Sequence, residues 1–298
     1  MEKKNILVIG GSYFLGKCFV SLSHEAYHIT VFNRGNRPLE IDDIREIHGD
    51  RHNENDLARL KGTKYDTVVD FCAYGQGDIR LVCETLKDSI KQYIFISTVD
   101  VYEHGTGEWQ DESAAFETRS FAGEEGAYIS GKVALELELR ECAQEYGIAY
   151  TSVRPSFIYG PDNYAPREGI YFHWISQAGQ IIHPEDATGE FQMVYVEDVA
   201  QAVKNAIANE KAYNQAFNLS NTQIETYETF AGALKKGLGV SFEKVLVSVE
   251  MVRTQNIPLP FPLTKKESNL YDGKKALCLM EKYTTLTEGI RKTVQKGD

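Results

Sequence analysis

Short apolar runs alternate with stretches of helical periodicity through the first half of the chain. Asn5 to Ile9, His28 to Phe32, Ile44 to His48, Thr67 to Phe71 and Tyr93 to Ser97 read as strands, with helices over Gly16 to His24 and Asp78 to Ser89. Strands that are apolar at nearly every position need cover on both faces, which a parallel sheet flanked by helices provides. The β-α-β-α-β order therefore predicts a doubly wound α/β fold. Tyr128 to Tyr146 places Ala134, Leu135, Leu139, Cys142 and Ala143 as buried positions of a long helix, and Gly147 stands where a C-cap glycine belongs. Tyr150 to Val153 follows as a strand.

The pattern then loosens. Gly160 to Arg167 reads as a loop, Tyr171 to Gln177 and Glu197 to Asn209 as helices, and Phe217 to Leu219 as a short strand. From Asn221 a smaller α/β region begins, which includes the loop Ile257 to Pro262. No internal repeat or low-complexity linker separates the two regions.

Composition narrows the class. The 298 residues carry 32 Lys and Arg against 43 Asp and Glu, a net charge of −11, with 42% hydrophobic and 25% charged residues. This is the balance of a globular chain with a substantial core. The acidic excess argues against nucleic acid as a partner, because phosphate backbones require clustered positive charge. No apolar run approaches the roughly 20 residues of a membrane span, and Ile6 to Ile9 is too short for a signal-peptide core. Cys18, Cys72, Cys83, Cys142 and Cys278 are odd in number, scattered and without a Cys-x-x-Cys pair. They read as reduced thiols of a cytoplasmic protein.

Candidate chemistry begins at Gly10-Gly11-Ser12-Tyr13-Phe14-Leu15-Gly16, directly after a strand and opening a helix. Glycines there permit a tight turn, and the helix N-terminus offers N–H groups to a pyrophosphate. Tyr13 replaces the middle glycine of the usual spacing, so its ring either crowds a dinucleotide or turns outward. The second strand ends Phe32-Asn33-Arg34-Gly35, where an NAD site places a carboxylate on the adenosine ribose. Asn33 is not a carboxylate, and Arg34, with Arg37 nearby, can pair with a 2′-phosphate. That favours NADP over NAD; the alternative is two solvated arginines.

Ser97-Thr98-Val99-Asp100-Val101-Tyr102 closes the fifth strand, and Tyr128-Ile129-Ser130-Gly131-Lys132 follows. Further along stand Arg154-Pro155-Ser156-Phe157-Ile158-Tyr159-Gly160-Pro161, Val196-Glu197-Asp198-Val199-Ala200 and Phe217-Asn218-Leu219. In order and spacing, residues 5 to about 220 resemble the extended short-chain dehydrogenase/reductase superfamily, the NAD(P)-dependent epimerase/dehydratase group. The resemblance implies a Rossmann domain over 1–160, to which 193–220 returns, and a smaller substrate-binding region over 161–298. It implies cofactor contacts from Gly10, Tyr13, Phe14, Leu15, Gly16, Asn33, Arg34, Asp50, Arg51, Phe71, Cys72, Ala73, Lys132 and Pro155.

Tyr-x-x-x-Lys occurs as Tyr13/Lys17, Tyr128/Lys132 and Tyr271/Lys275, and only Tyr128/Lys132 opens a helix downstream of a strand ending in hydroxyl residues. On a helix, positions i and i+4 share a face, and a lysine cation there lowers a phenol's pKa from about 10 toward the working pH. By resemblance Tyr128 is the acid/base, Lys132 also holds the nicotinamide ribose, and Thr98, or failing it Ser97, bonds the reacting hydroxyl. Sugar dehydratases of the family carry Asp-Glu after the threonine; Val99-Asp100 lacks the first carboxylate, which argues against dehydration. Asp100 by itself reads as a polar strand-end residue, and Trp109 to Glu112 as a substrate-facing loop or an exposed connection. Arg167, in the loop framing the substrate pocket, either clamps a phosphate or lies on the surface.

The Gly-Ser-Tyr-Phe-Leu-Gly, Asn-Arg-Gly and Tyr-Gly-Pro-Asp-Asn-Tyr segments also resemble an atypical branch of the superfamily, which includes chloroplast stem-loop RNA-binding proteins. That branch often lacks the Tyr/Lys pair, which this chain keeps. His48 and His52 are split by Gly49-Asp50, so no metal site is expected, and no Gly-x-Ser-x-Gly elbow marks a hydrolase. The leading expectation is an NAD(P)-dependent oxidoreductase or epimerase acting on a nucleotide sugar or similar hydroxylated substrate, with NADP preferred. It is expected to dimerise through the Asp78–Ser89 and Tyr128–Tyr146 helices. The alternatives are a non-catalytic dinucleotide-binding sensor or RNA- or protein-binding relative, and a reductase of a non-sugar ketone.

Overall fold

In the computed structural model, which describes residues 3–296, seven strands form one parallel sheet. They are β1 (Asn5–Ile9), β2 (His28–Asn33), β3 (Ile44–His48), β4 (Tyr65–Asp70), β5 (Ile90–Ile96), β6 (Ala149–Pro155) and β7 (Gln215–Leu219). Their spatial order is β7-β6-β5-β4-β1-β2-β3, so the winding of the chain across the sheet reverses between β1 and β4 while all strands stay parallel. In a doubly wound sheet that reversal opens the ligand crevice at the carboxyl ends of the strands. The principal helices are α1 (Phe14–Ser23), α2 (Asp78–Leu86), α3 (Gly123–Tyr146), α4 (Glu168–Ala178), α5 (Val196–Ala206), α6 (Tyr227–Leu238) and α7 (Leu286–Lys296).

The apolar runs have the expected cause. Ile6 and Val8 of β1 enter one core with α1 and α5, while Leu7 and Ile9 enter the other with α2 and α3. Alternation along a strand thus feeds two cores, and both sets must be apolar. Among the described residues no helix is long and apolar enough to cross a membrane.

Two boundaries differ from the sequence pattern in ways that matter. Helix α3 starts at Gly123, so Tyr128 lies in its second turn rather than its first. A Cβ on Gly126 would come within 1.9 Å of the Phe121 carbonyl oxygen, so glycine is what lets this turn close. Glu124 and Glu125 then occupy the first turn, where the helix dipole favours acids. The region after Asn221 holds more helix than its pattern suggested. Helix α6 begins at a capping box of Thr226 and Thr229 and packs on α7. The loop through Pro262 is pinned by Phe261, whose ring stacks on Phe191 with centroids 4.0 Å apart.

A polar network runs through the core between α3 and the sheet. Arg154 on β6 donates from Nε and Nη2 to the two carboxylate oxygens of Glu136, at 2.7 and 2.9 Å, with neither side chain exposed. Ser152 also donates to Glu136, and Arg154 Nη1 donates to the Tyr102 hydroxyl, which donates on to Asn218 on β7. Burial works to raise the Glu136 carboxyl, but the Arg154 hydrogen bonds and charge outweigh it and hold the group below its ordinary value. Removing one member of such a pair strands the other charge. Glu136→Gln is therefore expected to cost about 3–5 kcal/mol of folding stability in denaturant titration, and a cost under about 1 kcal/mol would contradict the assignment.

Candidate functional site

The glycine turn joins β1 to α1 in close contact. Gly10 and Gly11 take φ of +89° and +82°, and a Cβ on Gly16 would lie 2.6 Å from the Gly11 Cα. Gly16 therefore lets the helix pack onto the turn, as dinucleotide-binding turns require. Tyr13 sits at the N-cap with φ −147° and ψ 146°, extended backbone that any residue adopts, so losing the middle glycine strains nothing at that position. The strain falls on Phe14, at φ 40°. The Tyr13 side chain caps no N–H group, and no acid stands in the first turn of α1, which leaves the turn suited to an anion.

The Tyr13 side chain is directed at the loop 160–167. Its ring stacks on Tyr164 with centroids 5.3 Å apart, and the Arg37 guanidinium lies 3.8 Å from its centre. One turn along α1, Lys17 pairs with Asp162 at 2.7 Å. The loop 160–167 thus closes over the glycine turn through Tyr164, which meets both Tyr13 and Phe14, and through Asp162, two residues that the sequence reading did not single out. The loop itself was legible; which element it meets was not.

Lys132, Thr98 and Tyr128 converge beside this turn. Gly131 lets α3 approach until a Cβ there would lie 2.4 Å from the Tyr74 carbonyl oxygen. That approach buries Lys132, whose Nζ donates to the carbonyls of Ala73 and Ile96 at 2.9 and 2.8 Å. Burial pulls the Lys132 ammonium down to about 8, against the opposing charge of Asp70. Its Nζ is 5.8 Å from the Tyr128 ring centre. Thr98 caps the 3-10 turn after β5, and its hydroxyl donates to Asp100 at 2.8 Å. Tyr128 is 38% exposed, and Thr98 and Asp100 both act on its phenol.

The electrostatics differ from the sequence expectation. Burial pushes the Tyr128 phenol well above its ordinary value, the Asp100 carboxylate adds to the rise, and the Thr98 hydrogen bond opposes it. The lysine's expected acidifying effect on the phenol is outweighed by burial and by the Asp100 charge, while Lys132 is turned onto main-chain carbonyls. Arg167 joins the group: Nη1 donates to the Ile158 carbonyl at 3.0 Å, and burial lowers its pKa against the raising charges of Glu168 and Asp100.

The remaining residues divide. Phe71 and Cys72 underlie Gly10, where a Cβ would lie 3.3 Å from the Cys72 sulfur. Burial raises the Cys72 thiol to about 11, with Asp70 adding to it. Pro155 is buried at the end of β6, and Phe14 and Leu15 are buried, the Phe14 ring lying edge-on to Tyr164 with centroids 6.0 Å apart. Arg34 and Asp50 are exposed at the crevice, while Asn33 spends its carbonyl oxygen on the Gly35 N–H at 2.7 Å. Arg51 does not reach the crevice. It is buried in a bidentate pair with Asp70, both bonds 2.9 Å, and also donates to the Asp78 carbonyl. Its two terminal nitrogens tie β4 to α2, while Nε is buried without a hydrogen-bond partner. Of the other Tyr-x-x-x-Lys pairs, Lys17 is held by Asp162 and Lys275 by Gln215, so neither assembles a comparable group.

A nicotinamide dinucleotide fits these residues: a glycine turn closed enough to expose a helix N-terminus, arginines at its mouth and a buried lysine beyond it. Residues 75–220 match the model of the NAD dependent epimerase/dehydratase family. That stretch of the chain is similar to the family. Over 255 residues it is 30% identical to the chloroplast stem-loop binding protein of 41 kDa b of Arabidopsis thaliana, spanning 80% of this chain and 64% of that protein's length. Its fold matches the UDP-N-acetylglucosamine 4-epimerase of Methanobrevibacter ruminantium M1, with a TM-score of 0.80, 18% identity and 99% and 98% of the two chains covered. It also matches the UDP-glucose 4-epimerase of Thermotoga maritima, with a TM-score of 0.77, 22% identity and coverage of 98% and 97%. At such identities these two likenesses speak to the fold.

Proposed function

We propose that the protein is an NAD(P)-dependent oxidoreductase or epimerase acting on a nucleotide sugar or similar hydroxylated substrate, in the cytoplasm, with 161–298 contributing most of the substrate-binding region. The observation that carries this reading is the gathering of Thr98, Tyr128, Lys132 and Arg167 beside the glycine turn. A bound nicotinamide supplies hydride exchange with a secondary alcohol or ketone. Tyr128 carries the proton at its phenol oxygen, and its raised pKa keeps it a donor at neutral pH. Lys132 holds the cofactor ribose, Thr98 the reacting oxygen, and Arg167 an anionic group of the substrate.

The name of the Arabidopsis relative is that of a stem-loop binding protein, and we do not carry that property over. The net charge is −11, and the lysine-lined groove at the amino ends of the strands (Lys3, Lys4, Lys64, Lys91) also contains Asp66 and Asp88. Lys91 is already paired with Asp66 at 2.7 Å. Strong phosphate binding needs clustered uncompensated cations.

Tyr128→Phe is expected to abolish turnover in a substrate panel followed at the nicotinamide absorbance, while cofactor affinity stays within about twofold. Undiminished turnover in that variant would overturn the mechanism. For the cofactor we favour NADP, because Arg34 is exposed where a 2′-phosphate would lie. Calorimetry should find NADPH bound more tightly than NADH, and Arg34→Ala should weaken NADPH by about tenfold, or 1.4 kcal/mol. Preference for NADH removes the NADP assignment and leaves the enzyme; failure to bind either removes the cofactor reading. We also propose a homodimer through the outer faces of α2 and α3, where Leu137 is half-exposed. Sedimentation at micromolar concentration should show a dimer, and a clean monomer ends that proposal.

A further inference from the structure

Tyr164 covers the start of α1. Tyr13 is the N-cap of that helix and Phe14 its first residue, and the Tyr164 ring stacks on one and meets the other edge-on, with centroids 5.3 and 6.0 Å apart. A helix presents its unpaired N–H groups to an anion at these first positions. One ring from the loop 160–167 therefore stands over both. Beside it, Lys17 and Asp162 join the same two elements at 2.7 Å.

The backbone that carries this cover is tied down, and only its side chains are loose. The buried Glu168 carboxylate accepts from the Gly160 N–H and from the Asn163 side-chain amide, each at 3.0 Å. Asn163 accepts in turn from the Ala165 N–H at 3.0 Å. At the tip the contacts lie in water: Tyr164 is 64% exposed, and the Lys17 and Asp162 side chains are about half exposed. An exposed stack and an exposed ion pair are each worth little, so they can part without disturbing the core. Phe14, against the Tyr164 ring, holds φ at 40°, a backbone that bulky residues rarely adopt outside clamps and switch regions.

We propose that Tyr13 and Tyr164, with the Lys17–Asp162 pair beside them, form a side-chain gate over the glycine turn, whose rings part to admit a nicotinamide dinucleotide and close again behind it. The proposal rests on the cofactor reading above and adds the route by which the cofactor comes and goes. It also gives Tyr13 a use, since a glycine there would leave Tyr164 no ring to close on. Arg37, whose guanidinium lies 3.8 Å from the Tyr13 ring centre, puts a cation at the same opening, in keeping with an anionic ligand.

A gate differs from an ordinary contact in its kinetics. Where a site is open only part of the time, entry and exit are both slowed by the closed fraction, whereas losing a contact speeds exit alone. Stopped-flow mixing of the full chain with NADPH and with NADH, followed by nicotinamide fluorescence, gives both rates without any turnover. Tyr164→Ala should raise the association and dissociation rates together, each by at least about fivefold, with Kd within about threefold of the wild type. Asp162→Asn should move both rates the same way by about twofold. Tyr164→Phe keeps the ring and should stay within about twofold of the wild type. The gate is refuted if Tyr164→Ala leaves association unchanged, whether or not dissociation speeds, or if Tyr164→Phe is as fast as Tyr164→Ala. If neither the wild type nor any variant takes up either dinucleotide, the cofactor reading itself falls, and the gate with it.

Discussion

The buried pairing of Glu136 with Arg154 is the constraint on which the site's geometry rests. Tyr128, Lys132 and Glu136 stand at successive i+4 positions of α3 and share one stripe of the helix. Glu136 is locked to β6 by Arg154 and Ser152, and Arg154 is locked through Tyr102 to Asn218 on β7. Fixing Glu136 therefore fixes the rotation of α3, and with it where Tyr128 meets Thr98. A purely apolar stripe would bury well, but it would let the helix turn or slide by a fraction of a turn at little cost. A bidentate ion pair in a dry core does not.

The same core sets the state of the two ionisable groups in the Tyr/Lys pair. Lys132 enters the protein between α3 and the ends of β4 and β5, where main-chain carbonyls of Ala73 and Ile96 replace its water. The cost of burial remains visible in its lowered pKa. Tyr128 remains near solvent and beside Asp100, and both burial and that carboxylate favour its neutral form. The pair is thus a buried cation beneath a protonated phenol, an arrangement suited to giving a proton rather than taking one.

Around this rigid centre the loop 160–167 is held by side chains alone. The Tyr13–Tyr164 stack and the Lys17–Asp162 pair are at least partly exposed, and pairs of that kind are individually weak. Tyr13 thereby serves as a platform for the loop, and the extended backbone at its N-cap position explains how a bulky residue stands where a glycine is usual.

The sequence by itself determined the doubly wound sheet, the glycine turn and the Tyr128/Lys132 helix, because each is written in neighbouring residues: apolar runs, glycine spacing and i, i+4 periodicity. Boundaries that depend on close approach were less legible. The start of α3 at Gly123 rests on contact between Gly126 and the Phe121 carbonyl, which no local pattern announces. Partnerships between distant segments were not legible at all. Arg51 resembled a cofactor residue until Asp70 and Asp78 enclosed it, and Asp100 resembled an ordinary strand end until it lay beside Thr98 and Tyr128. Charge and hydrogen bonding act through space at a few ångströms, and only the tertiary structure decides which residues come that close.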